Sequence, residues 1–184
     1  MNSRLIDSPI GPITLIAEEG AIVGLYFGDT FSDSSQKKLQ GDENASQNAS
    51  NESIANESKA NDNVLNENVL TQCEKELDDY FARKLREFTV PIRAVGTPFR
   101  ERVWEALLQI PYGETVSYRD IAVKVGNPKA VRAVGGANHN NPISIIVPCH
   151  RVIGTNGSLT GYGGGMDAKK WLLELEEKYE NGTL

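Results

Sequence analysis

The sequence predicts two parts: an α/β N-terminal portion, residues 1–96, and a mostly α C-terminal domain, residues 97–184. Three observations lead there. Short alternating apolar runs are confined to the first 28 residues, helical periodicities recur from Val69 onward, and the charge balance changes at mid-chain. Residues 1–96 hold nine Lys and Arg against sixteen Asp and Glu, whereas residues 97–184 hold ten against nine. No acidic residue falls between Ile121 and Met166, a stretch containing Lys124, Lys129, Arg132, Arg151 and both histidines. A local basic face is therefore expected despite a formal net charge of −6. No apolar run approaches the roughly 20 residues a bilayer span needs. The first seven residues contain no signal-like apolar region, so a cytoplasmic, non-membrane protein is expected. Cys73 and Cys149 are too few for a disulfide framework, and with His139 and His150 they lack zinc-site spacing; two reduced thiols and no metal follow.

The elements follow in order. Residues 4–7, 13–18 and 21–27 are apolar runs separated by Ser8-Pro9-Ile10-Gly11-Pro12 and Glu19-Gly20, an antiparallel meander. Residues 32–68 collapse to Asn, Ser, Glu, Ala and Lys, with eight Asn between Gly41 and Leu70. Such a segment offers little apolar surface to offset ordering entropy, and a disordered insertion is expected. Val69, Cys73, Leu77, Tyr80, Phe81 and Leu85 then make a helical stripe on which Cys73 reads as a core residue, and residues 88–92 read as a short strand. Thr97 and Pro98 open a helix whose apolar face is Val103, Trp104, Leu107, Leu108 and Ile110. Ser117 to Asp120 is a capping box opening a helix that Gly126 ends. Asn127-Pro128 is expected to start a third helix running to Gly135-Gly136. Residues 117–136 thus make a helix-turn-helix, a pattern shared by DNA readers and by ordinary helix packing.

The chemistry concentrates further on. Residues 143–147 are a β-branched run leading into Pro148-Cys149-His150-Arg151 and a second strand-like piece, Val152-Ile153. Cysteine attacks as its thiolate, which an adjacent imidazole favours. Sequence neighbours on a strand face opposite ways, so a working Cys149–His150 pair needs irregular backbone, which Pro148 provides. A third group must orient the imidazole. Glu176, at the edge of the apolar face of a C-terminal helix carrying Trp171, Leu172, Leu175 and Tyr179, is the candidate; an ordinary flank carboxylate is the alternative. Residues 158–165, rich in glycine, suit a loop that lets backbone approach a flat ligand. The Pro-Cys-x-x-Cys and His-x-Glu of zinc deaminases are absent. A helix-turn-helix regulator with an incidental cysteine and a cysteine hydrolase both stay open on these residues alone.

Pro148-Cys149-His150-Arg151 with Val152-Ile153-Gly154, Asn127-Pro128-Lys129, Arg132-Ala133-Val134-Gly135-Gly136, Asn141-Pro142 and Lys170-Trp171-Leu172-Leu173 together resemble the methylated-DNA–protein-cysteine methyltransferases, or O6-alkylguanine-DNA alkyltransferases. The resemblance covers residues 97–177; residues 1–96 resemble the family's ribonuclease-H-like N-terminal domain in outline. It implies a winged helix-turn-helix-like DNA-binding and catalytic domain. The implied activity is DNA repair by direct damage reversal, an irreversible single transfer of an alkyl group from O6 of guanine to Cys149 that inactivates the protein. O4 of thymine is left open as a second donor position. No cofactor is implied; the partner is double-stranded DNA carrying O6-alkylguanine, and the chain is expected to act as a monomer. On this resemblance His150 is the base, acting through a water, and Glu176 holds its imidazole. Asn141 ties the recognition helix to the active-site segment. Tyr118 displaces the 3′-phosphate and contacts the base, and Arg132 enters the stack in place of the extruded nucleotide. Tyr162 and Gly163 form the lip of the guanine pocket, Gly163 through its backbone where some relatives carry serine. Carbonyls of Cys149 and Val152 read the guanine amino group. Lys129, Arg151 and Asn138 complete the implied DNA-facing set, Asn138 being polar where some relatives are apolar.

Overall fold

The structure is a computed structural model, and it describes residues 1–28 and 52–180. Strands β1 (Asn2–Ile6), β2 (Ile13–Glu18) and β3 (Ala21–Phe27) form the expected antiparallel meander in the order β1-β2-β3. The β2–β3 hairpin turns on Glu19 and Gly20, both at positive φ (50° and 72°), the geometry that a two-residue hairpin matching strand twist demands. Helix α1 (Glu52–Phe81) covers this sheet, burying Leu70, Cys73, Leu77 and Tyr80 completely. These spacings of three and four place the side chains on one face.

The disordered insertion expected over residues 32–68 is corrected in part: residues 52–68 belong to α1, and residues 29–51 lie outside the described residues. Polar contacts pin the middle of the helix. The carboxamide of buried Asn66 accepts from the Gly20 N–H at 2.9 Å, and Glu67 accepts from Asn2 and Arg4 at 2.8 Å each. Composition counts apolar area and misses such specific partners. Residues 88–92 make only a single bridge, Ile22 to Ile92, instead of the expected strand. Ile22 donates to the Pro91 carbonyl at 2.8 Å and accepts from the Arg93 N–H at 2.9 Å, and Pro91 has no N–H with which to carry the ladder back toward residue 88.

In the C-terminal part, α2 (Pro98–Leu108) is capped by Thr97 with Pro98 at its start, as expected, and the Trp104 indole donates to the Ala137 carbonyl at 2.9 Å. β4 (Val116–Ser117) leads into α3 (Tyr118–Lys124), whose Ser117–Asp120 capping box is fully formed. α4 (Val131–His139) starts and ends later than expected. Asn127 and Pro128 instead occupy the first two positions of a turn closed by the Ala130 N–H on the Asn127 carbonyl, the positions these residue types favour. Gly135 and Gly136 do not stop the helix, because burial of Ala137 and Asn138 and the Trp104 bond hold its last turn. A 3₁₀ turn (Cys149–Arg151), β5 (Val152–Ile153) and α5 (Gly165–Glu180) complete the order, β5 pairing parallel with β4. The two parts share one core, and β3 reaches the active-site segment directly: the Leu25 N–H donates to the Pro142 carbonyl at 2.8 Å. Among the described residues no helix is long and apolar enough to cross a membrane.

Candidate active site

The β-branched run at residues 143–147 does not form the expected strand. It folds into a turn in which the Val147 N–H donates to the Ile143 carbonyl, and Ile145 takes φ 72°, a conformation β-branched residues avoid. Asn141 holds the turn from inside. Its Nδ2 donates to the Val147 carbonyl at 2.8 Å and reaches Cys149 Sγ at 3.1 Å, while its Oδ1 accepts from the Ile143 N–H at 3.0 Å. Pro148 then opens the 3₁₀ turn, the irregular backbone that lets neighbours Cys149 and His150 serve one site.

His150 and Glu176 are fully buried and meet at 2.9 Å between Nε2 and Oε1. An ionised carboxylate only accepts, so Nε2 carries the proton and Nδ1, which is buried without a hydrogen-bond partner, keeps its lone pair. Burial lowers the His150 pKa below its ordinary value, outweighing Glu176, so the imidazole is neutral near pH 7 and able to take a proton. Burial would raise Glu176, but hydrogen bonds and charge from His150 and Arg151 prevail and hold it well below the usual carboxylate range. With His150 neutral, Arg151 supplies that charge. Burial raises the Cys149 thiol above its ordinary value, offset in part by Asn141 and by Lys169. At rest Cys149 is a thiol and His150, its neighbour in the chain, a neutral imidazole.

Two expected DNA-facing residues point inward. Arg151 is buried; its Nε and Nη2 donate to Glu176 at 3.0 Å, its Nη1 donates to the Ile110 carbonyl at 2.7 Å, and it lies over the Tyr112 ring. A guanidinium has five donors in a fixed fork, and the buried carboxylate with the Ile110 carbonyl engages three of its nitrogens. Asn138 is likewise buried, its Nδ2 donating to the Cys149 carbonyl at 3.1 Å. That carbonyl also accepts from the Val152 N–H, so both its lone pairs are engaged. The Val152 carbonyl accepts from Lys169 Nζ at 2.6 Å and retains one lone pair, which makes it the better placed of the two to read an amino group.

Tyr162 is buried against the site, its ring 6.4 Å from the imidazole and edge-on to Phe27 of β3 at 5.6 Å. Gly163 is exposed beside it, with open space where a Cβ would stand. Tyr118, half-buried at the start of α3, donates to the Thr160 carbonyl at 3.4 Å, tethering the glycine-rich loop. Lys129 and Arg132 are exposed, on the turn and on α4, as a nucleic-acid-facing helix-turn-helix requires.

Three contributions were not among the expected site residues. Tyr80 of α1 donates to Glu176 Oε1 at 2.7 Å, the Gly113 N–H donates to Oε2 at 3.1 Å, and buried Lys169 donates to the carbonyls of Val152 and Thr160. Lys169 was visible as a cation three and seven residues before Leu172 and Glu176, on the face of α5 that is otherwise buried. Tyr80 read only as part of a core stripe.

A buried thiol, an adjacent imidazole and a fixed carboxylate can carry nucleophilic attack without metal or redox chemistry. Residues 98–178 match the family model for the 6-O-methylguanine DNA methyltransferase DNA binding domain, and residues 1–94 match the ribonuclease-like domain of the same family. A methylated-DNA–protein-cysteine methyltransferase of Mycobacterium tuberculosis is 45% identical over 174 residues, 95% of this chain and 91% of that one. One of Methanosarcina acetivorans is 43% identical over 176 residues, 96% and 98% of the two chains. The crystal structure of Mycobacterium tuberculosis O6-methylguanine methyltransferase superposes with a TM-score of 0.75 at 43% identity, covering 97% of this chain and 93% of that one. The structure of the Mycobacterium tuberculosis protein in complex with DNA gives 0.75 at 42%, covering 97% and 94%. With both halves of the chain matched in order and relatives at this identity over 95% and 96% of it, the chain belongs to the 6-O-methylguanine DNA methyltransferase family.

Proposed function

We propose that this protein repairs O6-alkylguanine in double-stranded DNA by moving the alkyl group, once, onto Cys149. The observation that carries this reading is the Cys149–His150–Glu176 arrangement, set in a chain whose two halves both match the methyltransferase family. The helix-turn-helix presents Lys129 and Arg132 toward the duplex, and Arg132 fills the stack when the nucleotide is turned out, a step that costs a few kcal/mol and least for a damaged pair. Tyr118 contacts the backbone beside the lesion. Tyr162, Gly163 and the Val152 carbonyl receive the extruded base. His150 Nδ1 takes the thiol proton, directly or through a water, and Glu176 stabilises the resulting imidazolium. Sγ attacks the alkyl carbon; the S–C bond forms as the C–O6 bond breaks, guanine leaves with that electron pair, and the imidazolium's proton passes to the departing guanine. A thioether is a poor leaving group, so Cys149 is not regenerated. The two free thiols, Cys73 and Cys149, fit a reducing cytoplasm.

The test is intact and peptide mass spectrometry after mixing the protein with a duplex bearing one O6-methylguanine. The expected result is one methyl gained per protein, on Cys149, with the duplex restored to guanine. A duplex that stays bound and methylated, with Cys149 unmodified, would overturn the reading in favour of a lesion-binding protein.

A further inference from the structure

We propose that Tyr80, a residue of the N-terminal α/β domain, is a positioning residue for alkyl transfer: its hydroxyl fixes the Glu176 oxygen that holds the His150 imidazole. This rests on the function proposed above. Tyr80 donates to Oε1 at 2.7 Å, the same oxygen that accepts from His150 Nε2 at 2.9 Å. The ring cannot swing away. Tyr80 is fully buried, with Phe88 at 5.3 Å, Phe81 at 5.6 Å and Tyr112 at 6.0 Å between centroids.

A phenylalanine would make the same ring contacts, and a buried hydroxyl costs free energy unless it is bonded. The partner of this hydroxyl is the Glu176 carboxylate alone among the hydrogen bonds of the described residues. Arg151 contacts both carboxylate oxygens and the Gly113 N–H draws on Oε2. Those donors satisfy Glu176 as a buried charge, while Oε1 is shared by Arg151, the imidazole and Tyr80. A neutral donor on Oε1, anchored in a different domain, sets the carboxylate's orientation without adding a second cation. Burial and the Glu176 charge raise Tyr80's ionisation well above its ordinary value, so the hydroxyl keeps its proton and takes no part in proton transfer. Its influence passes through Glu176 to His150, and by this route the ribonuclease-like domain contributes to the chemistry.

The experiment compares the full-length protein with Tyr80→Phe, His150→Ala, the double variant and Cys73→Ala. Cys149 modification is timed by peptide mass with saturating O6-benzylguanine and, separately, with iodoacetamide; half-saturation and duplex affinity are measured alongside. Tyr80→Phe is expected to lower the maximal rate about tenfold with both reagents, leaving half-saturation and duplex affinity unchanged. In the His150→Ala background the same substitution should change the rate less than about twofold, because its route of action is gone. Cys73→Ala removes a buried thiol from the same helix without touching the carboxylate; it should unfold at a lower temperature yet react at the original rate. The proposal is overturned if Tyr80→Phe reacts at the original rate, if its loss persists undiminished without His150, or if Cys73→Ala slows the reaction equally. Should the unsubstituted protein leave a duplex bearing O6-methylguanine unrepaired while Cys149 reacts with iodoacetamide, the proposed function fails, and the iodoacetamide series decides Tyr80 by the same criteria.

Discussion

Arg151 separates a DNA-contact role from a buried one, and Arg151→Met tests the difference. Arg151 and Glu176 side chains are 8% and 1% exposed, and the guanidinium spends three nitrogens on Glu176 and the Ile110 carbonyl. Removing one partner of a buried pair costs about 3–5 kcal/mol, because the survivor is left charged and unpaired. Tyr80, His150 and the Gly113 N–H still donate to Glu176, and a cavity of about 580 Å³ lined by Arg151, Ile110 and Tyr112 gives water access, which favours the lower end. For a chain of this size about 3 kcal/mol lowers Tm by roughly 6–12 °C. Calorimetry measures it, with duplex affinity measured in parallel and expected to hold. The double variant Arg151→Met/Glu176→Gln should recover part of the lost Tm, since neither buried charge then lacks a partner. An unchanged Tm with weakened duplex binding would refute this reasoning and return Arg151 to the DNA face.

Gly164→Ala would set its Cβ 2.5 Å from the Phe27 ring, an overpacking expected to cost about 1–3 kcal/mol in urea unfolding, with Phe27→Leu restoring part; a change within experimental error would refute it. Stability should fall as pH drops from 8 to 5.5, because the unfolded chain protonates His150 near pH 6.5 whereas the folded chain, with a depressed value, does not. Below the ordinary carboxylate range Glu176 adds to that loss, its depressed folded value being crossed last. His150→Gln should flatten the slope between pH 8 and 5.5, and an identical slope would remove His150 as its source. Arg132→Ala should slow transfer from a duplex by roughly tenfold or more, part of the cost of extrusion, while sparing free O6-benzylguanine; equal losses on both would dismiss its place in the stack.

What was legible in the sequence is what local chemistry determines. The Glu19-Gly20 hairpin, the Thr97-Pro98 start of α2 and the Ser117–Asp120 capping box involve residues at most three apart, and each forms as the residue types predict. Cys149 and His150 stand out as an adjacent thiol and imidazole, whereas helix spacing placed Glu176 at a face edge but left an ordinary flank carboxylate open, and the family resemblance singled it out. The turn at residues 143–147 misled because its β-branched composition favours a strand, and the opposing influence is Asn141, whose side chain holds Ile145 in its left-handed state. Asn138 and Arg151 stood in the DNA-facing set that the family resemblance implied, and their inward partners, the Cys149 carbonyl and Glu176, become visible only in three dimensions.

Glu176 shows where sequence reading stops. It receives donors from α1, from the turn after α2 and from the Cys149–Arg151 segment, at sequence separations of 96, 63, 26 and 25 residues. Pro148-Cys149-His150-Arg151 supplies the thiol, the imidazole and the cation, but it does not determine which way the imidazole faces. That orientation comes from a carboxylate whose own position is set by two domains. The arrangement therefore predicts a division of effects: substitutions at Cys149 remove the chemistry outright, whereas substitutions at Tyr80 or beside Gly113 leave the motif intact and slow it through Glu176. A chain carrying the motif on a fold that could not bring Tyr80 or an equivalent donor to Oε1 would hold its base less firmly, and its thiol would alkylate more slowly at equal substrate affinity.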